Sequence, residues 1–123
     1  MARIAFLDYD RSNFVNAWVN GGASAVGVGT FVLVGDRIGV AQVDIPVGGY
    51  GPVECSKQWY APLKSGDTPS IGDYVYWDDA NGYFTTTVVY DVRPVQMVSS
   101  SGNVPSGYIT VDLAMTAAAT PTP

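Results

Sequence analysis

An all-β fold is predicted by three observations on this 123-residue chain. Fourteen glycines and eight prolines punctuate it from end to end. The segments between them are short and rich in Val, Ile, Thr, Tyr and Phe. No segment sustains a 3.6-residue apolar period. The expectation is a compact small β-barrel or β-sandwich of short antiparallel strands with an extended N-terminal arm.

From the start to about Asn20 the pattern is weakest. "NFVNAWVN" alternates poorly and reads either as an edge strand or as an arm lying on a neighbouring subunit. "GGASAVGVG" is a small-residue link, so residues 1–24 are assigned to arm and link. "TFVLVG" and "RIGVAQVDI" are strands joined at Gly35-Asp36, close to a hairpin signal. Phe31 and Leu33 share one face and Val32 and Val34 the other. Apolar faces on both sides predict a central strand or an interface. "PVECSKQWYAPL" reads as one further strand, with Val53, Cys55 and Lys57 on one side, ending at Pro62.

After the turn-rich "KSGDTPSIGD" comes "YVYW", with Val75 and Trp77 on one face and Tyr74 and Tyr76 on the other. Ile71 extends the first face if the strand begins early. Asn81-Gly82 predicts a type I′ hairpin, because both residues tolerate positive φ. That places Asp78 and Asp79 in or beside a structural turn with Asn81 and Gly82. "VRPVQMV" and "GYITVDLAM" pair to close a domain of residues 25–115, and residues 116–123 form a flexible tail with nothing to bury.

Composition removes most functional classes. The net charge is −5, and the six basic residues form no stripe that could track phosphates. No apolar run is long enough to span a membrane as a helix, and the early charges of "MARIAFLDYD" argue against a secretory signal. The chain has no histidine, which excludes the usual Ser-His-Asp and Cys-His catalysis and imidazole-based zinc sites. The single cysteine, Cys55, is read as packing. Three sharper readings of the acidic and aromatic residues stay open. Asp73, Asp78 and Asp79 could collect a calcium ion, though their spacing matches no EF-hand. Asp78 or Asp79 with Glu54 could form a glycosidase carboxylate pair. Trp59, Tyr60, Tyr74 and Tyr76 could form a sugar platform in a carbohydrate-binding or host-adhesion module. Against these stands the plainer expectation of two strands and a turn, without catalytic residue, metal or cofactor.

The runs "IGVAQVDIPVGGYGPVECSKQWYAPLK" and "IGDYVYWDDANGYFTT" carry a resemblance. Gly39-Val40-Ala41, Gly48-Gly49, Pro62-Leu63-Lys64, the run Gly72-Asp73-Tyr74-Val75-Tyr76-Trp77-Asp78, Gly82 and Thr85-Thr86 match a recurring pattern. On these the chain resembles the phage capsid decoration, or cement, proteins, once a family of unknown function and sometimes labelled a RecA-type recombinase. No Gly-x-x-x-x-Gly-Lys-Ser/Thr loop is present to support the recombinase label. The resemblance covers about Gly27 to Met115, and it implies a non-enzymatic virion protein that binds the major capsid protein on the outer capsid surface after synthesis in the host cytoplasm. It further implies self-association, with a homotrimer favoured over a dimer. Phe6, Tyr9, Phe14, Trp18, Trp59, Tyr60, Tyr74 and Tyr76 are the candidate capsid or subunit contacts, since aromatic residues are enriched at interface cores. The sequence after the Thr-rich strand, "VVYDVRPVQMV", departs from the pattern, as does the aromatic content of the N-terminal twenty residues.

Overall fold

The computed structural model describes residues 14–123, and Phe6 and Tyr9 lie outside them. Among the described residues the domain is all-β, with nine strands in two antiparallel sheets. The first sheet contains β1 (Phe14–Val19), β2 (Phe31–Val34), β3 (Arg37–Ala41) and β4 (Tyr50–Glu54), in the order β1-β4-β3-β2. The second contains β5 (Gln58–Pro62), β6 (Tyr74–Asp78), β7 (Tyr83–Thr85), β8 (Val95–Ser99) and β9 (Tyr108–Thr116), in the order β5-β9-β8-β6-β7.

Alternation decides which side chains meet. Phe31, Ile38 and Val40 of the first sheet join Ala61, Val75, Trp77, Phe84, Val95, Met97, Ile109, Val111 and Leu113 of the second in one core. The opposite face of the first sheet has its own core of Val32, Ala41, Ile45, Val53 and Cys55, with Val15, Trp18 and Val26 packed on it. Both faces of the β2–β3 hairpin are therefore covered, which is why its residues are apolar on both sides. Of the two expectations, a central strand or an interface, the first is not met among the described residues: there β2 lies at the sheet edge, and packed neighbouring segments bury its faces.

The hairpin turns at Gly35, whose φ is 61°, with Asp36 outside the left-handed region. Positive φ at the first central position alone is the type II′ pattern. On β3, Gly39 is required by space: a Cβ there would lie 2.4 Å from Val53 Cγ1 and 2.9 Å from Cys55 Sγ.

The run "PVECSKQWYAPL" is not one strand. It divides at Cys55–Lys57 into β4 of one sheet and β5 of the other. Lys57 takes φ 73°, a left-handed conformation that turns the chain from sheet to sheet. Pro62 ends β5, an edge strand, as its missing N–H requires.

The barrel expectation is corrected as well: the sheets are not closed into a barrel. At the seam of the second sheet, Leu63 makes an isolated bridge to Phe84, and the Lys64 N–H donates to the Phe84 carbonyl at 2.8 Å. At the seam of the first, the Trp18 indole N–H donates to the Leu33 carbonyl at 2.8 Å. Single links in place of ladders follow from strands of three and four residues at these edges.

Phe14–Val19 pairs antiparallel with β4, with an irregularity between Val15 and Trp18. At the other end, Ala117 donates to the Pro94 carbonyl at 2.9 Å and the Pro121 carbonyl accepts the Asp91 N–H at 3.4 Å.

Candidate functional site

The acidic, aromatic stretch from Gly72 to Tyr90 was the conspicuous candidate, and its parts can be followed one by one. β6 turns Val75 and Trp77 inward, with Trp77 only 4% exposed. The Trp77 ring lies 5.2 Å from Phe31 and 5.0 Å from Phe84, and Phe31 meets Phe84 edge-on at 5.4 Å. Such tilted and edge-on contacts suit the ring quadrupoles. A buried indole needs an acceptor, and Asp79 Oδ1 supplies it at 2.9 Å.

Asp78 is occupied in the turn. Its carboxylate accepts the Asn81 N–H at 3.1 Å and the Asn81 side-chain amide at 2.8 Å, while its carbonyl accepts the Gly82 N–H at 2.8 Å. The side-chain bond from Asn81 is the main reason the Asp78 carboxyl is held below the usual range. These bonds also correct the turn type. Asp78 pairs with Tyr83, so four residues form the connection, and only Gly82, at φ 74°, is left-handed. Asn81, anchored to Asp78, does not take the positive φ that a type I′ turn demands.

Asp73 accepts the Ser70 N–H at 2.9 Å. Asp73, Asp78 and Asp79 thus serve three different partners, and among the described residues no group of three or more His, Cys, Asp or Glu side chains could hold a metal ion. Glu54 sits on the other sheet, 7% exposed, accepting the Ser56 hydroxyl at 2.7 Å with Lys57 Nζ 3.7 Å away. Cys55 is a buried free thiol, and burial pushes its pKa up, which suppresses the thiolate.

One acid escaped sequence reasoning. Asp67 accepts the Thr86 N–H at 2.9 Å and the Thr85 hydroxyl at 2.7 Å, tying the loop before β6 to β7. The Thr86 backbone bond, then the Thr85 hydroxyl, hold its carboxyl below the usual range. No local spacing marks a pair that is eighteen residues apart.

The aromatics divide by strand parity. Trp59 packs against the core and donates its indole N–H to the Ser56 carbonyl at 2.7 Å. Its neighbour Tyr60 points outward and is 52% exposed. Tyr74 is exposed and Tyr76 half-buried on the outer side of β6. Trp59, Tyr60, Tyr74 and Tyr76 therefore do not share one face, and no single sugar platform forms. Ile71 is 69% exposed and does not extend the core face of β6. Tyr108, missed from sequence, is 42% exposed beside Tyr60, since Pro62 pairs with Tyr108 and Tyr60 with Thr110. The inward alternation of Ile109, Val111 and Leu113 was the signal that could have found it.

Tyr60, Pro62 and Tyr108 form one wall of a groove of about 810 Å³. The other wall is β2 with the half-buried Trp18, and Trp77 contributes to the lining between them. Phe14 opens β1, placed through its backbone pairing with Glu54.

A family model described as phage cement protein matches residues 11–121. Comparison with curated proteins and with solved structures finds no match. With nearly its whole length matched, the chain belongs to the phage cement protein family, a structural family whose members decorate the capsid.

Proposed function

We propose, with membership of the phage cement family as the premise, that this protein sits on the outer surface of a phage head and stabilises contacts between capsomers of the major capsid protein. It does so as a homotrimer in preference to a dimer, because a clamp placed where several subunits meet must match the symmetry of that site. It performs no reaction of its own.

The observation that carries this reading is a division of labour among side chains. The acids that would suggest chemistry hold turns and a buried indole. Tyr60 and Tyr108 instead remain exposed beside a groove, and tyrosine is favoured where one end of a side chain is buried by a partner and the other stays wet. Tyr60, Tyr74 and Tyr76 on the outer side of the second sheet supply contact area. The chain before Phe14, with Phe6 and Tyr9, acts as the arm, with Phe14 and Trp18 at its root. The exposed tyrosines of several copies in one oligomer bind the shell jointly far more tightly than those of a single copy. Mixing the purified protein with expanded, undecorated shells is expected to give stoichiometric occupancy at one class of capsid site in electron micrographs. Absence of binding to every shell form overturns the reading.

A further inference from the structure

We infer that the outward edge of β2 is an unfinished strand pairing, completed in the oligomer by residues Ile4–Leu7 of a neighbouring copy. This rests on the self-association proposed above and adds to it a named donor and acceptor.

The hairpin register fixes which groups face outward. Val34 pairs with Arg37 across a two-residue turn, which makes it a hydrogen-bonded pair, and the pattern alternates from there. The Ala41 N–H bond to the Thr30 carbonyl, at 2.9 Å, continues the same phase. Thr30, Val32 and Val34 therefore bond toward β3. Phe31 and Leu33 direct their N–H and C=O groups toward the free edge. The Trp18 indole takes the Leu33 carbonyl. Among the described residues nothing accepts the Phe31 and Leu33 N–H groups or donates to the Phe31 carbonyl.

Exposed edges invite pairing, and proteins usually blunt them with proline, a bulge, a charge or brevity. The other three edges are blunted in these ways. β1 carries an irregularity between Val15 and Trp18, β5 ends in Pro62, and β7 has three residues. β2, "FVLV", has no charge, no proline and an unbroken register. It also faces the groove walled by Tyr60, Pro62 and Tyr108.

An occupant must be extended, about four residues long and apolar on both sides, because both faces of β2 are covered. Ile4-Ala5-Phe6-Leu7, bounded by Arg3 and Asp8, has this form. Its alternation directs Ile4 and Phe6 to one side and Ala5 and Leu7 to the other. Donation from one copy to the next is a head-to-tail contact, which closes into a ring at the trimer. Main-chain bonds would supply affinity and the Phe6 ring specificity, as in other strand additions.

The test is residue-resolved amide exchange on the full-length protein without shells. Val32 and Val34, bonded to β3, report whether the hairpin is folded. At high protein concentration the Phe31 and Leu33 amides are expected to be protected. That protection should fall by about tenfold or more on dilution to monomer and in Phe6→Asp, while Val32 and Val34 stay protected. Ala5→Pro, which removes a donor from the segment, should act in the same direction. Three results overturn the inference: Phe31 and Leu33 unprotected at every concentration; protection independent of dilution, which places the chain's own segment there; or protection only when shells are added, which assigns the edge to a capsid segment. Shell occupancy is scored separately, so decoration with unprotected Phe31 and Leu33 refutes this inference and leaves the decorating role standing.

Discussion

The β6–β7 turn and the outer edge of β2 make opposite impressions. The turn holds adjacent aspartates, an Asn-Gly pair and a tryptophan, everything that usually signals chemistry. Yet its polar groups are engaged within the fold: Asp79 by the Trp77 indole, Asp78 by Asn81. The β2 edge is plain, four apolar residues with nothing reactive, and among the described residues nothing pairs with its outward backbone groups beside the groove. Chemical conspicuousness and availability are separate properties. A polar side chain is informative about function only after its hydrogen-bond partners have been counted.

The sharpest way to break this contrast is at Trp77. If the ring serves the core, Trp77→Ala removes a buried aromatic from the cluster with Phe31 and Phe84 and costs about 3–5 kcal/mol. A urea titration measures it. A change near zero would return the turn to the list of available surfaces. The next largest effect is expected on the covered side of the β2–β3 hairpin. Gly39→Ala would press a methyl into Val53 and Cys55, at 2.4 and 2.9 Å. Overpacking of this kind costs about 1–3 kcal/mol, seen as a lowered denaturation midpoint.

Smaller again is the pH effect of the turn acids. The carboxyls of Asp67 and Asp78 are depressed in the folded state. Their contribution to stability is therefore fully present above the unfolded carboxyl pKa of about 4 and is lost as pH falls through the lower folded values. Asp67→Asn should be less stable than the parent at neutral pH, and the gap should close on acidification. Thermal melts from pH 7 downward would show the two converging, and a gap that widens in acid would contradict the assignment. The smallest effect on stability belongs to Tyr60→Ser with Tyr108→Ser. These exposed changes should move the unfolding free energy by no more than about 0.5 kcal/mol each. Shell affinity should nevertheless fall about tenfold or more, the scale of a truncated interface aromatic.

What could be read from sequence follows the same division. Strand parity was legible where one face is buried: Val75 and Trp77 against Tyr74 and Tyr76, and the pairing of β8 with β9. The corner at Cys55–Lys57 was not, because alternation runs on unchanged through a residue that turns the chain into the other sheet. The four-residue turn was not, because the Asp78 carboxylate competes for Asn81 in a way the Asn-Gly pair alone does not announce. The edge position of β2 was hidden because apolar faces on both sides look the same whether strands or loops cover them. Asp67 with Thr85 and Thr86 was hidden by separation along the chain.

The central claim is mechanical: this protein acts by holding capsid subunits together. Its most direct measurement is the temperature at which DNA-filled heads rupture, compared between undecorated heads and the same heads saturated with the protein. The account predicts a higher rupture temperature that scales with occupancy. Fully occupied heads that rupture at the same temperature as bare ones would contradict it.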